Sequence, residues 1–349
     1  MYYDNQNPFG RDYYRDMMCK DARRTFSRFH FGIFAYVAVA YLITIIADIV
    51  LMLVFKDSYE TITANIYYQW IMGVLPMYAV GLPVLCVIVH SIPSKRLEKS
   101  KMKLSEFLIL FAIAQAAMFI GNSIGTTLNN FFAAIKGDEI SNTTSELIEN
   151  SPIWITILVA VVIGPIIEEF IFRKLLIDKL SRYGTLITVI VSGVSFGLFH
   201  GNFYQFFYAA MLGMILAYIT IKTGNWLYSV VMHVLINFFG SVAVLPVIDM
   251  MDEFTEASEA LANGEAIDAA RFLICAMTVV SHSVIQYALV IAGIYFIVLS
   301  IKNRWYKLRS TAEVNIPKND AFGVAYLNAG AIVFIVTSIL LFGVSIILG

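Results

Sequence analysis

This chain of 349 residues is short of charge. Only 14% of its residues are Asp, Glu, Lys or Arg, against about a quarter in soluble domains. A water-facing surface cannot be built from so few ionised groups. Cysteine is also scarce. Cys19, Cys86 and Cys275 lie far apart with no CxxC pairing, so neither a disulfide framework nor a thiolate metal site is indicated. The zinc-peptidase signature HExxH is absent. No excess of positive charge points to nucleic acid, since the net charge is −1. The first thirty residues are polar, aromatic and basic, without the short apolar core and small-residue cleavage site of a removable signal peptide. The first apolar helix is therefore expected to serve as an uncleaved signal anchor.

What the chain has instead is apolar length. It is 59% hydrophobic with a mean hydropathy of +0.75, and several of its apolar runs exceed the roughly 18 residues that make a membrane span the default reading. The expected fold class is all-α, a polytopic membrane helical bundle of about eight to nine helices. Candidate spans are 32–55, 70–90, 107–134, 153–180, 185–201, 204–221, 226–247, 272–300 and 324–348. Four regions follow: a basic amino-terminal tail (1–31), three helices with their loops (32–152), a polar-centred core (153–247), and an acidic loop with the last helices (248–349). The segment 251–271 is read as a solvated connector.

The loop charges alternate. Basic residues crowd the amino-terminal tail, the loop SIPSKRLEKSKMK, the positions Lys179 and Arg182, and KNRWYKLR. The intervening loops KDSYETITAN, KGDEISNTTSELIENS and MMDEFTEASEALANGEAIDAAR are acidic or neutral. By the positive-inside rule the amino terminus is expected in the cytoplasm and, with nine spans, the carboxyl terminus outside. The basic segments suit contact with anionic membrane lipid.

Three polar constellations interrupt the apolar core. Glu168, Glu169 and Arg173 occur as EEFIFR; Phe196 and His200 as FGLFH; His233 and Asn237 as HVLIN. Glu169 and Arg173 are one helical turn apart and can pair, while Glu168 points about 100° away and can meet another partner. Glu168 lies thirteen residues before Ser181 and His200 sixteen after Gly184, about 20 and 24 Å along their helices. His233 and Asn237 lie about 12 and 18 Å beyond Asn225. All four thus fall at related depths and can line one chamber, taken to be reached from the cytoplasm. Gly193, Gly197 and Gly201 form a small-residue stripe that lets helix backbones approach closely, expected to bring His200 near the helix of Glu168. His30 is placed at the interface, and His90 and His282 are read as packing residues.

Ionisable groups inside a bilayer are costly and so point to function. A carboxylate beside imidazole nitrogens, away from bulk water, can take a proton from a water molecule. His233 and Asn237 can donate to the oxyanion formed when water attacks a peptide carbonyl. Alternatively, Glu168, His200 and His233 can hold a divalent metal such as zinc with a fourth position left for water. Other classes that use such residues are a proton-coupled transporter and a non-catalytic scaffold. A transporter is disfavoured by the lack of two related halves.

EExxxR, FxxxH and HxxxN in this order resemble the CAAX-protease and bacteriocin-processing family of intramembrane proteases, also called Abi, whose best-known branch is the type II CAAX prenyl endopeptidase. The resemblance covers about residues 153–240. It implies an endopeptidase that cuts near the carboxyl end of a membrane-associated peptide or protein. In that reading Glu168 activates water and His200 orients it, His233 and Asn237 stabilise the oxyanion, and Glu169 with Arg173 supports them. A scaffold or bacteriocin-immunity protein is the alternative within the same family.

Overall fold

The structure, a computed structural model, describes residues 8–304, 308, 310–314 and 316–349, with side chains from residue 15 onward. The first seven residues of the basic tail, and Trp305, Tyr306, Lys307 and Arg309 of KNRWYKLR, lie outside the described residues.

Helices account for nearly all of the described chain, and no strand occurs among the described residues. The principal elements are α1 (Pro8–Val54), α2 (Ile66–Val89), α3 (Leu104–Lys136), α4 (Ile153–Tyr183), α5 (Thr185–Phe199), α6 (Phe203–Thr223), α7 (Leu227–Ser241), α8 (Leu245–Ala262), α9 (Ala269–Asn303) and α10 (Ala329–Leu348). Among the described residues eight helical runs are long and apolar enough to cross a membrane, α7 and α8 counting as one. The chain is an all-α polytopic bundle, and side chains such as Leu53, Val87 and Leu340 lie open on its outside where lipid replaces water.

Helix boundaries follow local chemistry. Asn65, Asp268 and Asn328 cap α2, α9 and α10 by accepting backbone N–H groups of the first turn. Gly137 and Gly224 close α3 and α6 in the left-handed conformation, at φ 79° and 62°, which only glycine adopts without steric cost.

Two expectations about the elements are corrected. The fifth candidate span, α5, is a helix of only 15 residues. It forms a hairpin with α6 whose turn, at 200–202, sits against Leu341 of α10 rather than in a loop outside the bundle. The segment 251–271 is not a connector along its first half. Helix α8 runs to Ala262, packs on α9, and is tied to it by a two-pronged Arg271–Glu253 pair at 2.6 Å. Its run of Met, Glu, Ala and Leu has high helix propensity, which outweighed the loop-like charge.

The packing order places the core. α5 lies along α6, α6 along α3, and α3 along α9, while α1 packs against α10 on the opposite flank. Gly193 and Gly197 do face a close helix, but it is α6. A Cβ at Gly193 would overlap Met214 Cγ and meet the Ala210 carbonyl at 2.7 Å. The stripe therefore welds the α5–α6 hairpin, whereas α5 meets α4 through Ser192 Oγ, which donates to the Phe172 carbonyl at 3.1 Å. His30 is also displaced from expectation. It is buried, with one ring nitrogen on the Phe26 carbonyl and the other on Ser195 Oγ, at 2.9 and 3.1 Å. A partner on a neighbouring helix makes burial of an imidazole tolerable.

Segment 92–103 straps one end of the bundle. Lys95 N donates to the Asp178 carbonyl at 2.5 Å and Ser100 N to the Thr223 carbonyl at 2.8 Å. The acidic segment 137–152 lies at the other end, where Trp70 Nε1 donates to Ser151 Oγ at 2.7 Å and Tyr204 Oη to the Ile140 carbonyl at 2.8 Å. Filling the α5–α6 contact is expected to be costly. Gly193→Val should destabilise the detergent-purified protein by about 1–3 kcal/mol or more as an overpacked site. Gly73→Ala, at a position with nothing within 4 Å, should leave the melting temperature unchanged.

Candidate functional site

The three polar constellations converge. Glu168, His200, His233 and Asn237 line one cavity of about 900 Å³ in the middle of the bundle, a size typical of ligand-binding pockets. α4 supplies the first glutamate, the turn after α5 the first histidine, and α7 the second histidine and the asparagine.

α4 is continuous past Arg173, as the shared depth requires, but it is not a uniform α-helix. Wide π turns occupy Thr156–Ile163 and Phe170–Leu175, leaving Gly164–Glu169 as a short α segment between them. In the first of these the Gly164 N–H reaches back five residues to the Val159 carbonyl. The next residue, Pro165, has no N–H to offer, so the Ala160 carbonyl that this register would satisfy is left without its backbone donor. Asn237 fills the vacancy, donating Nδ2–H to Ala160 O at 2.9 Å. One of the two N–H bonds expected to serve an oxyanion is thus committed to holding α7 against α4. The other remains to the cavity side.

Beneath the cavity floor Glu169 and Arg173 are fully buried and form an ion pair, Nε to Oε2 at 3.2 Å. The guanidinium also donates from Nη2 to the Gly213 carbonyl at 3.3 Å and lies 4.6 Å from the centre of the Phe196 ring. The second oxygen of Glu169 accepts from His233 Nδ1 at 3.0 Å. That contact fixes the tautomer, because an ionised carboxylate only accepts. His233 Nδ1 carries a proton, and Nε2 points to Glu168 Oε2, 3.7 Å away. Glu168 is the more open of the two carboxylates, its side chain 18% exposed against 0% for Glu169.

Phe196 explains the aromatic member of FxxxH. Its ring meets Arg173 on one side and stands edge-on to His200 and His233, with centroids 5.0 and 5.6 Å apart. His200 itself occupies the last turn of α5, before Gly201 at φ 66°. Asn202 secures this turn, donating to the His200 carbonyl at 3.0 Å and to Gln205 Oε1 at 2.9 Å while accepting the Gln205 N–H at 2.9 Å. Asn202 thus serves as the side-chain N-cap of α6.

The three residues considered for a metal share the cavity. Yet among the described residues no three His, Cys, Asp or Glu side chains are grouped as a metal ion requires. His233 donates Nδ1–H to Glu169 and keeps Nε2 on the Glu168 side. No step below passes through a metal ion.

The sequence reading missed part of the wall. Tyr78, Gln115, Asn122, Gln205, His282 and Gln286 also line the cavity. The His282–Gln286 pair, one turn apart within an apolar helix, was the available signal. Its reading as packing is corrected, because both side chains face the chamber. The chamber reaches one end of the bundle. It is lined by Asn142, Thr144, Ser145 and Ile148 of the acidic end, and by nothing from the basic strap 92–103 or from 179–185.

Comparison with known proteins agrees with this core. The family model described as type II CAAX prenyl endopeptidase Rce1-like matches residues 150–239. The chain is 25% identical over 200 residues to the Bacillus subtilis (strain 168) protein named "Putative membrane peptidase YdiL", covering 55% of this chain and 81% of that protein. No solved structure matches significantly. The matched segment holds Glu168, Glu169, Arg173, His200, His233 and Asn237, so the polar core of this chain is similar to the Rce1-like type II CAAX prenyl endopeptidases.

Proposed function

We propose that the chain is an intramembrane endopeptidase that hydrolyses a peptide bond near the carboxyl end of a membrane-associated peptide or protein. The observation that carries this reading is the unequal pair of carboxylates. Glu169 is neutralised beneath the floor by Arg173 and His233, while Glu168 faces the cavity, its ion-pair contact being His233 Nε2 at 3.7 Å.

In this mechanism Glu168 takes a proton from water as the water oxygen bonds to the substrate carbonyl carbon. The second Asn237 N–H and the His200 ring donate to the oxyanion. Collapse of the tetrahedral intermediate breaks the C–N bond, and Glu168 returns the proton to the leaving amine. His233 is given a positioning role. With Nδ1–H on Glu169 its Nε2 presents a lone pair to Glu168, so a neutral ring orients the acid form of that residue instead of serving the oxyanion. The amide side chains of Gln115, Asn122, Gln205 and Gln286 suit the free N–H and C=O groups of an extended polypeptide.

Positive-inside charge supports a cell-membrane protein with its amino terminus in the cytoplasm. Combined with the cavity's direction, it makes the site open away from the cytoplasm, beside segment 137–152.

Four outcomes are expected. Glu168→Gln should lower cleavage of a quenched-fluorescence peptide library by roughly 10²–10⁴-fold, the worth of a general base, with an unchanged melting temperature. Wild-type cleavage should survive chelator; loss on chelation with rescue by zinc would replace this mechanism by a metal-dependent one. A Glu168→Gln protein that keeps its biological effect would identify a scaffold. Arg173→Ala should destabilise the fold by about 3–5 kcal/mol by stranding a buried carboxylate, and the double change Glu169→Gln with Arg173→Met should recover much of that loss. Finally, with Cys19, Cys86 and Cys275 replaced by serine, a membrane-impermeant maleimide should label Thr143→Cys in intact cells and Lys99→Cys only after permeabilisation. The reverse pattern would place the chamber mouth in the cytoplasm.

A further inference from the structure

A second cavity lies on the far flank from the chamber, where α1 meets the start of α10. It has a volume of about 520 Å³ and is lined by Arg23, Arg24, Arg28, Phe31, Gly330 and Val333, among others. Arg24, Arg28 and Phe31 recur at helical spacing, so they share one stripe of α1. The three arginines are exposed, and among the described residues no carboxylate forms an ion pair with any of them. Arg28 is fixed at one edge, its Nε donating to the Ile88 carbonyl at 2.7 Å. The groove itself is held firmly open at its base. Gly330 lies so close to α1 that an added Cβ would overlap the Ser27 carbonyl, and its N–H donates to Ser27 Oγ at 2.9 Å.

The chemistry of the walls changes with depth. Three guanidinium groups mark the end of the bundle that also carries the basic strap. One turn further in, the groove becomes apolar, with Phe31 46% and Val333 37% exposed. From there α1 and α10 continue as membrane-spanning helices. A small inorganic anion could use the charges but would leave the apolar floor uncovered. A phospholipid satisfies both, with a phosphate against planar donors that bind it in two-pronged fashion and an acyl chain along the floor.

We propose that this groove is a binding site for an anionic phospholipid, with the headgroup phosphate on Arg23, Arg24 and Arg28 and the acyl chain over Phe31 and Val333. The site is independent of the peptidase chamber, and nothing in the proposed mechanism requires it.

Native mass spectrometry of the detergent-purified full chain tests this with phosphatidylglycerol and phosphatidylcholine as the added probes. Wild type should retain phosphatidylglycerol in preference to phosphatidylcholine. The triple variant Arg23→Gln, Arg24→Gln, Arg28→Gln should lose at least about tenfold of that retention, since each basic group near an anionic lipid contributes on the order of a factor of five. The triple variant Lys99→Gln, Lys101→Gln, Lys103→Gln, at the same end but off the groove, should retain the lipid as wild type does. Val333→Trp fills the apolar floor without touching charge and should also weaken retention, which decides the matter even if the arginine variant fails to fold. Equal retention by Val333→Trp and wild type overturns the proposal, as does equal loss in both charge variants. Displacement of phosphatidylglycerol by millimolar inorganic phosphate would make the site one for free phosphate, and would overturn the lipid assignment.

Discussion

A carboxylate with no access to water organises this protein. Glu169 is completely enclosed and survives there because Arg173 meets one oxygen and His233 the other. Removing either partner would leave charge in a medium that cannot solvate it. The arrangement therefore fixes more than a local contact. It sets the rotation of α4, binds α7 to it, and draws Phe196 of α5 over the guanidinium. Specificity of packing, more than strength, is what such a cluster contributes in a bundle whose remaining contacts are apolar and interchangeable.

Around that cluster the protein separates support from chemistry. Hydroxyls join the helices below the chamber: Thr220 and Ser229 share a hydrogen bond at 2.7 Å, and Ser229 also donates to the Leu216 carbonyl at 2.9 Å. The chamber above is lined mostly by apolar side chains, with amides, phenols and imidazoles set among them, and contains a single carboxylate, Glu168. Charge in the chamber is confined to Glu168.

Much of this was legible in the chain. Length and hydropathy identify the bundle because bilayer thickness dictates helix length. The pairing of Glu169 with Arg173 follows from helical periodicity, and the meeting of Glu168, His200, His233 and Asn237 from their related depths, about 12–24 Å along their helices from the nearest loops. What could not be read depends on features that periodicity hides. The π turns of α4 alter the register on both sides of the glutamates, and only backbone hydrogen bonding reveals them. The glycines of α5 announce a close neighbour without saying which, and the neighbour proved to be α6. His282 and Gln286 belong to a helix outside the recognisable core, so their place in the chamber depends on how α9 packs against α3. His30 carries no mark in the sequence of its partner Ser195, which lies 165 positions away.

The proline beside the glutamates has a consequence for how this site can change over evolutionary time. Pro165 removes an N–H, and Asn237, seventy-two positions later, supplies its substitute. The two positions therefore constrain one another across helices that are otherwise free to drift. A relative with an N–H-bearing residue in place of this proline would satisfy the carbonyl within its own helix, and its asparagine would be released to turn both N–H groups to the cavity. In this chain the same side chain is divided between joining two helices and lining the chamber, and the division is set by Pro165.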